Sequence, residues 1–274
     1  MPLSRVSRPF VVAHHLLAFG ISLAPLIGSF KPLSASAEPP RKESAPSETP
    51  TTLSIDSRFT CSGLPSQGDL RFLDKIQKSY AKVTTVASSF GQVAYLSALD
   101  VQEVSTGRVW YEKPGKMRWR YESPEVQEFG IAGSAVVLYQ EADKQVIVDE
   151  AKSVLLSDLP VSFLLGLGNL KRDFTLLEMC DGEGGMLLTV VPKDAKTQEG
   201  VRLLKLAVDK DSLRPLGAEV TDEAGNITTI RLVGPAWNTP ISTSELTVSY
   251  PKGIDVVDRR QPEETAPLTR PHGE

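Results

Sequence analysis

The residues able to do acid–base, nucleophilic or metal chemistry are few in this chain, and their positions exclude most of that chemistry. Among 274 residues there are three histidines. His14 and His15 lie in an apolar N-terminal run and His272 in a polar C-terminal tail. The long stretch between them has none, which removes a Ser-His-Asp or Cys-His nucleophile pair and the usual zinc ligand sets. Two carboxylate pairs are close in sequence: Glu122 with Glu125, and Asp222 with Glu223. Nothing sets either apart from ordinary solvated turn residues. The glycine-rich run 181–185 lacks a following helix with Lys-Ser/Thr, so it reads as a hairpin loop rather than a phosphate cradle. The chain is expected to be no enzyme and to use no cofactor or metal. Cys61 and Cys180 form an even pair, which in an oxidising compartment suggests one disulfide, the alternative being two unpaired thiols.

What the sequence concentrates instead is aromatic surface. Residues 107–124 read GRVWYEKPGKMRWRYESP. Two runs of strand-forming residues flank Lys113-Pro114-Gly115-Lys116, where Pro-Gly is a turn signal. Met117, Trp119 and Tyr121 alternate with Arg118 and Arg120, giving one large apolar face and one basic face. In the first run Val109 and Tyr111 share a face, with Arg108 and Glu112 opposite and Trp110 the exception. Such a hairpin is either a sheet packed on an ordinary core or the wall of an apolar cavity.

The elements that must position it follow in order. Arg5 and Arg8 precede an uncharged run to Phe30, and Ala35-Ser36-Ala37 is an A-x-A site, so 1–37 reads as a cleavable secretory signal peptide. Residues 38–60, rich in Pro, Ser, Thr and Glu, read as a disordered linker, and 259–274 as a disordered tail. Between them 61–258 is the size of one domain. Removing 1–37, which hold Arg5, Arg8 and Lys31 and no acid, leaves a formal charge of −7. A polyanion such as nucleic acid is therefore not expected as a partner. An amphipathic helix is expected over 69–88, with Leu70, Leu73, Ile76, Tyr80, Val83 and Val86 at helical spacing. Strands are expected at 90–99, 103–111, 116–121, 126–132, 135–140, 145–149, 174–180, 186–191, 201–209, 215–221, 227–233 and 245–250. The leucine-rich stretch 155–167 interrupts them as one or two short apolar helices. The regular spacing with turns argues for an antiparallel sheet curled into a barrel or half-barrel.

The order of motifs resembles the LolA family of periplasmic outer-membrane lipoprotein carriers. The resemblance rests on Phe90-Gly91-Gln92, the hairpin 107–124, Leu138-Tyr139, Gln145-Val146, PVSFLLG at 160–166 and LLTVVPK at 187–193. It continues through the D-x-x-G turn Asp222–Gly225 to PKGIDVVD at 251–258. It implies a mainly β (α+β) fold: an incomplete antiparallel β-barrel of about 10–12 strands, with the N-terminal amphipathic helix and short apolar helices as a lid over a hydrophobic cavity. It implies a non-enzymatic, monomeric periplasmic chaperone of a Gram-negative bacterium. Its cargo would be acylated lipoproteins, its donor an inner-membrane LolCDE-type ABC transporter, and its acceptor LolB or another outer-membrane protein. Val109, Tyr111, Met117, Trp119 and Tyr121 would line the lipid-binding cavity. Leu70, Leu73, Ile76, Tyr80, Phe163, Leu164 and Leu165 would form the lid. The family pattern has Arg before the hairpin proline, linked to lid closure; here that residue is Lys113, which lacks the planar five-donor fork.

Three other readings share the fold: a lipid- or lipoprotein-binding sensor like RseB, a carrier of another lipid, and a structural domain with a filled core. RseB-like chains carry an additional C-terminal domain, which the short stretch after Asp258 does not supply.

Overall fold

Strands form where apolar and polar residues alternate, and from Thr85 onward that pattern dominates the chain. The computed structural model describes residues 59–61, 67–150, 169–194 and 201–260. In chain order these hold β1 (Phe59–Cys61), α1 (Gln67–Ala81), β2 (Thr85–Leu96), β3 (Val101–Glu112), β4 (Lys116–Ser123), β5 (Gln127–Ala132), β6 (Ala135–Gln140) and β7 (Gln145–Glu150). Then come α2 (Leu170–Asp173), β8 (Phe174–Gly182), β9 (Gly185–Pro192), β10 (Leu203–Asp209), β11 (Pro215–Thr221), β12 (Ile227–Trp237), α3 (Thr243–Leu246) and β13 (Asp255–Asp258). The strands form an open sheet in the order β1-β8-β9-β10-β11-β12-β2-β3-β4-β5-β6-β7-β13. Every described pairing is antiparallel except β13 on β7.

The sheet has 13 strands where 10–12 are expected from sequence. The additions are its two ends, β1 and β13, of three and four residues. Neither is long enough to show a period in sequence. β1 begins at Phe59, inside the stretch read as linker.

Two other elements differ from their sequence pattern. The helix does not run to residue 88: α1 stops at Ala81 and β2 begins at Thr85. Thr84, Thr85 and Val86 are β-branched and favour the pleated surface over a helix. Thr84 N–H also donates to Asn238 Oδ1 (2.8 Å), and the Thr85 hydroxyl to Thr239 O (2.7 Å). Residues 245–250 are not a strand. Ser242 and Glu245 make a reciprocal capping box that starts α3, whose Leu246 is buried.

The chain divides into two compact units. In the first, which comprises residues up to Tyr80, Gln92–Val104 and Ser157–Arg231, β8 to β12 carry one apolar row: Met179, Leu188, Leu206, Ala218 and Ile230 oppose one another in register. The other face holds the Lys205–Glu219 ion pair (3.1 Å) and a small cluster of Cys180, Leu187 and Ala207 with Phe59 and Leu216 against it. Cys61 opposes Cys180 across β1 and β8, and the two are joined as a disulfide with Cα atoms 4.0 Å apart. In α1, Leu73, Ile76 and Tyr80 are buried, as their spacing requires. Gln77 Oε1 accepts from Leu170 N–H (3.0 Å), Asp74 pairs with Lys171 (3.0 Å), and the Ser79 hydroxyl donates to Ser212 O (2.8 Å).

The second unit comprises Ala81–Gly91, Ser105–Leu156 and the chain from Leu232 on. It is built on β3 to β7 and carries the aromatic hairpin.

Candidate functional site

The β3–β4 hairpin closes as its residue types dictate, with Gly115 at φ +68° and the Lys113–Pro114 peptide bond cis. Its register places Tyr111 opposite Met117, Val109 opposite Trp119 and Gly107 opposite Tyr121. The five residues expected to share a face therefore do so. Val109 and Trp119 are fully enclosed, Tyr111 and Met117 nearly so, and Tyr121 is half-buried.

The same register runs on through β5, β6 and β7. Met117 opposes Ile131, which opposes Val136; Trp119 opposes Phe129, which opposes Leu138, which opposes Ile147. The result is a continuous apolar strip across five strands. Phe90 of β2 joins it, its ring centroid 4.5 Å from Trp119 and 5.3 Å from Tyr121 in an edge-on arrangement. It reaches them over Gly107, where a Cβ would lie 2.9 Å from Phe90 Cε1 and collide with Arg120 O. Phe90, Phe129, Ile131 and Leu138 are absent from the wall residues expected from sequence, Phe90 and Leu138 having entered there only as parts of family motifs. Their own alternation marks their strands, but which strands adjoin the hairpin is not a local property.

Tyr111 carries a hydroxyl without a hydrogen-bond partner, and burial pushes it up to about 12. Its phenol keeps a proton in the folded state that an unfolded tyrosine loses near pH 10. Stability should therefore be intact below pH 10 and fall as the pH rises from 10 toward 12. We expect alkaline melts followed by circular dichroism to show this decline, and Tyr111→Phe to flatten it. An unchanged slope in Tyr111→Phe would mean that this hydroxyl is solvated.

The reverse face of the hairpin is charged and only partly solvated, the Arg118 side chain 11% exposed and that of Arg120 36%. Glu128, only 1% exposed, sits between two arginines. Arg118 donates through Nε to Oε2 (2.9 Å) and through Nη2 to Oε1 (3.0 Å), and Arg120 through Nη1 to Oε1 (2.7 Å). Trp110 lies beneath the Arg108 and Arg118 guanidinium groups, at 5.7 and 5.2 Å. The segment after β12 crosses this face. Arg118 Nη1 donates to Ser244 O and Glu245 O (3.4 Å each), and Val248 occupies the space that a side chain at Gly130 would take. The Ser242 hydroxyl, with smaller help from Trp110, holds the Glu245 carboxyl below its usual range. The basic face expected from Arg118 and Arg120 is therefore paired to Glu128 and partly covered, most fully at Arg118.

Lys113 lies at the hairpin turn. Its backbone N–H donates to Thr84 O (2.9 Å) and its Nζ to the carbonyl of Ala81, the last residue of α1, at 3.4 Å. Partial burial lowers its amine from the usual lysine range. Of the expected lid residues, Leu73, Ile76 and Tyr80 are buried on α1. Leu70 lies on α1. Phe163, Leu164 and Leu165 lie outside the described residues. Among the described residues, one group has metal-ligand spacing, Cys61, Glu178 and Cys180, and its two thiols are consumed by the disulfide.

Residues 81–248 match the family model described as outer membrane lipoprotein carrier protein LolA. An outer-membrane lipoprotein carrier protein of Methylococcus capsulatus is 24% identical over 72% of this chain and 93% of its own length. One from Methylobacillus flagellatus is 32% identical over 57% of this chain and 74% of its own. A crystal structure of an uncharacterised conserved protein from Thermus thermophilus covers 70% of this chain and all of its own, at 19% identity and TM-score 0.46.

Proposed function

The chain belongs to the family of the outer membrane lipoprotein carrier protein LolA, and from that membership we propose that it ferries acylated lipoproteins across the periplasm. In this reading it takes them from a LolCDE-type ABC transporter of the inner membrane and delivers them to an acceptor of the outer membrane, of the LolB type or another. It reaches the periplasm through the signal in 1–37 and performs no chemistry on its cargo.

The observation that supports the reading most is the apolar strip Val109–Trp119–Phe129–Leu138–Ile147 with Phe90 upon it. An acyl chain in water costs about 0.8 kcal/mol per CH₂, so a carrier must offer a matching apolar surface. Val109, Tyr111, Met117, Trp119 and Tyr121 would contact the chains. The apolar side of α1 (Leu70, Leu73, Ile76, Tyr80), with Phe163, Leu164 and Leu165, would be the movable cover. Lys113 would act as a latch on the last carbonyl of α1. A 3.4 Å bond from an ammonium at an exposed position is weak, as a cover that must open requires.

The test uses spheroplasts holding a labelled lipoprotein in the inner membrane. Added protein should bring the lipoprotein into the soluble fraction as a one-to-one complex. No release, with folded protein and a matched donor transporter, would move the assignment to a lipid-binding sensor or a carrier of another lipid. Met117→Glu separates wall from core. A carboxylate against acyl chains is penalised by more than 1.4 kcal/mol, so release should fall by more than about tenfold while the fold survives. If Met117→Glu instead unfolds the domain, that face is packed core and not a cargo surface.

A further inference from the structure

The apolar strip ends abruptly in a row of amides. Two residues along from the Trp119–Phe129–Leu138–Ile147 rung, Tyr121 opposes Gln127, Gln127 opposes Gln140, and Gln140 opposes Gln145. Alternation along the strands puts these glutamines on the same face as the strip. Gln127 and Gln140 are 8% and 4% exposed. The Gln140 Nε2 is enclosed and has no hydrogen-bond partner. A buried donor left unsatisfied costs free energy, so such a group marks either a defect or a place kept for an acceptor.

The chemistry of that acceptor is constrained. The row is neutral, so it does not select a charged headgroup. It adjoins a surface suited to hydrocarbon, so its partner should be a polar group attached directly to hydrocarbon. The unfilled position is a donor, so the partner should be an acceptor. An ester carbonyl meets all three conditions, since it accepts and has no proton to donate. We propose that Gln140, flanked by Gln127 and Gln145, binds the ester carbonyls that join the acyl chains to the glyceryl unit of the cargo, with the chains running from there along Trp119 and Leu138. The subsite rests on the carrier reading and adds to it a polar end point that sets how far the chains enter.

The glyceryl ester occurs both in lipoproteins and in phospholipids, so four probes are needed. Binding of the full chain is measured by displacement of a fluorescent fatty acid. The probes are a diacylglyceryl-cysteine peptide, its dialkyl ether analogue, a diester phosphatidylethanolamine and its diether analogue. The wild-type protein should prefer the diester lipopeptide over the diether by about three- to tenfold, the worth of one neutral hydrogen bond. Gln140→Leu should bring that ratio to about one. Gln140→Met, with the length kept and the donor removed, should do the same and serves if Gln140→Leu fails to fold. A matching ratio for the phospholipid pair extends the subsite to glyceryl esters in general, while a ratio seen with the peptide alone confines it to lipoproteins. Equal binding of diester and diether by the wild-type protein, or a ratio unchanged in both variants, overturns the subsite and leaves the carrier reading intact. If no acyl probe binds the wild-type protein, the carrier reading fails and the subsite fails with it.

Discussion

Glu128→Gln should destabilise the domain by about 3–5 kcal/mol, although the change removes one charge and almost no volume. In the native sheet the carboxylate satisfies Arg118 through two bonds and Arg120 through a third, with the Arg118 side chain 11% exposed. Arg108 and Arg120 are also direct cross-strand neighbours, a like-charge pair that is unfavourable without an anion beside it. An amide at 128 would leave the largely enclosed Arg118 guanidinium against a neutral partner and the half-exposed Arg120 without its anion. For a domain of this size each kcal/mol shifts Tm by about 2–4 °C, so a fall of roughly 10 °C is expected in a thermal melt. Replacing Glu128 and Arg118 together by leucine and methionine should recover much of the loss, because apolar residues of similar volume avoid the desolvation of buried ions. A loss below about 1 kcal/mol for Glu128→Gln would place this network in solvent.

Removing the Cys61–Cys180 bridge should have an effect of similar size by a different route. The two cysteines are separated by 119 residues, and a loop of that length carries about 4–5 kcal/mol of closure entropy in the chain-entropy account. The local effect is larger than for most bridges, because β1 is three residues long and pairs with β8 alone. Without the bridge, three ladder residues cannot offset the entropy of ordering them. Phe59 should then leave its cluster with Cys180, Leu187, Ala207 and Leu216. We expect reductant, or Cys61→Ser with Cys180→Ser, to lower Tm by about 10 °C and to abolish hydrogen-exchange protection at 59–61. Two reactive thiols in the denatured, unreduced protein would exclude the bridge outright.

The parts of this molecule that could be read from sequence are those carried by short-range pattern. The facing of Val109, Tyr111, Met117, Trp119 and Tyr121 follows from a period of two and one Pro-Gly turn, and the register reproduces it. The lack of histidine between His15 and His272 is likewise a fact of composition that no fold can alter. Element boundaries depend on distant contacts. Val83 and Val86 continue the helical spacing of Leu73, Ile76 and Tyr80. That continuity conceals the change to strand, which is set by Thr84 and Thr85 bonding to Asn238 and Thr239 more than 150 residues away. Residues 245–250 show strand-like composition, yet the Ser242–Glu245 capping box and the seat of Leu246 turn them into a helix and a crossing segment.

A β-rich chain with one heavily aromatic hairpin, a cysteine pair and no histidine between His15 and His272 is legible from residue type and spacing, because these act within a few positions of one another. Which strands adjoin is set by the fold as a whole. That choice lays Phe90 over Gly107 onto Trp119, sets Glu128 between two arginines, and aligns Gln127, Gln140 and Gln145 at the end of the strip. Side chains alternate across a strand, so a slip of one residue in any ladder would exchange the two faces, and no local pattern encodes the partner strand against which that register is set.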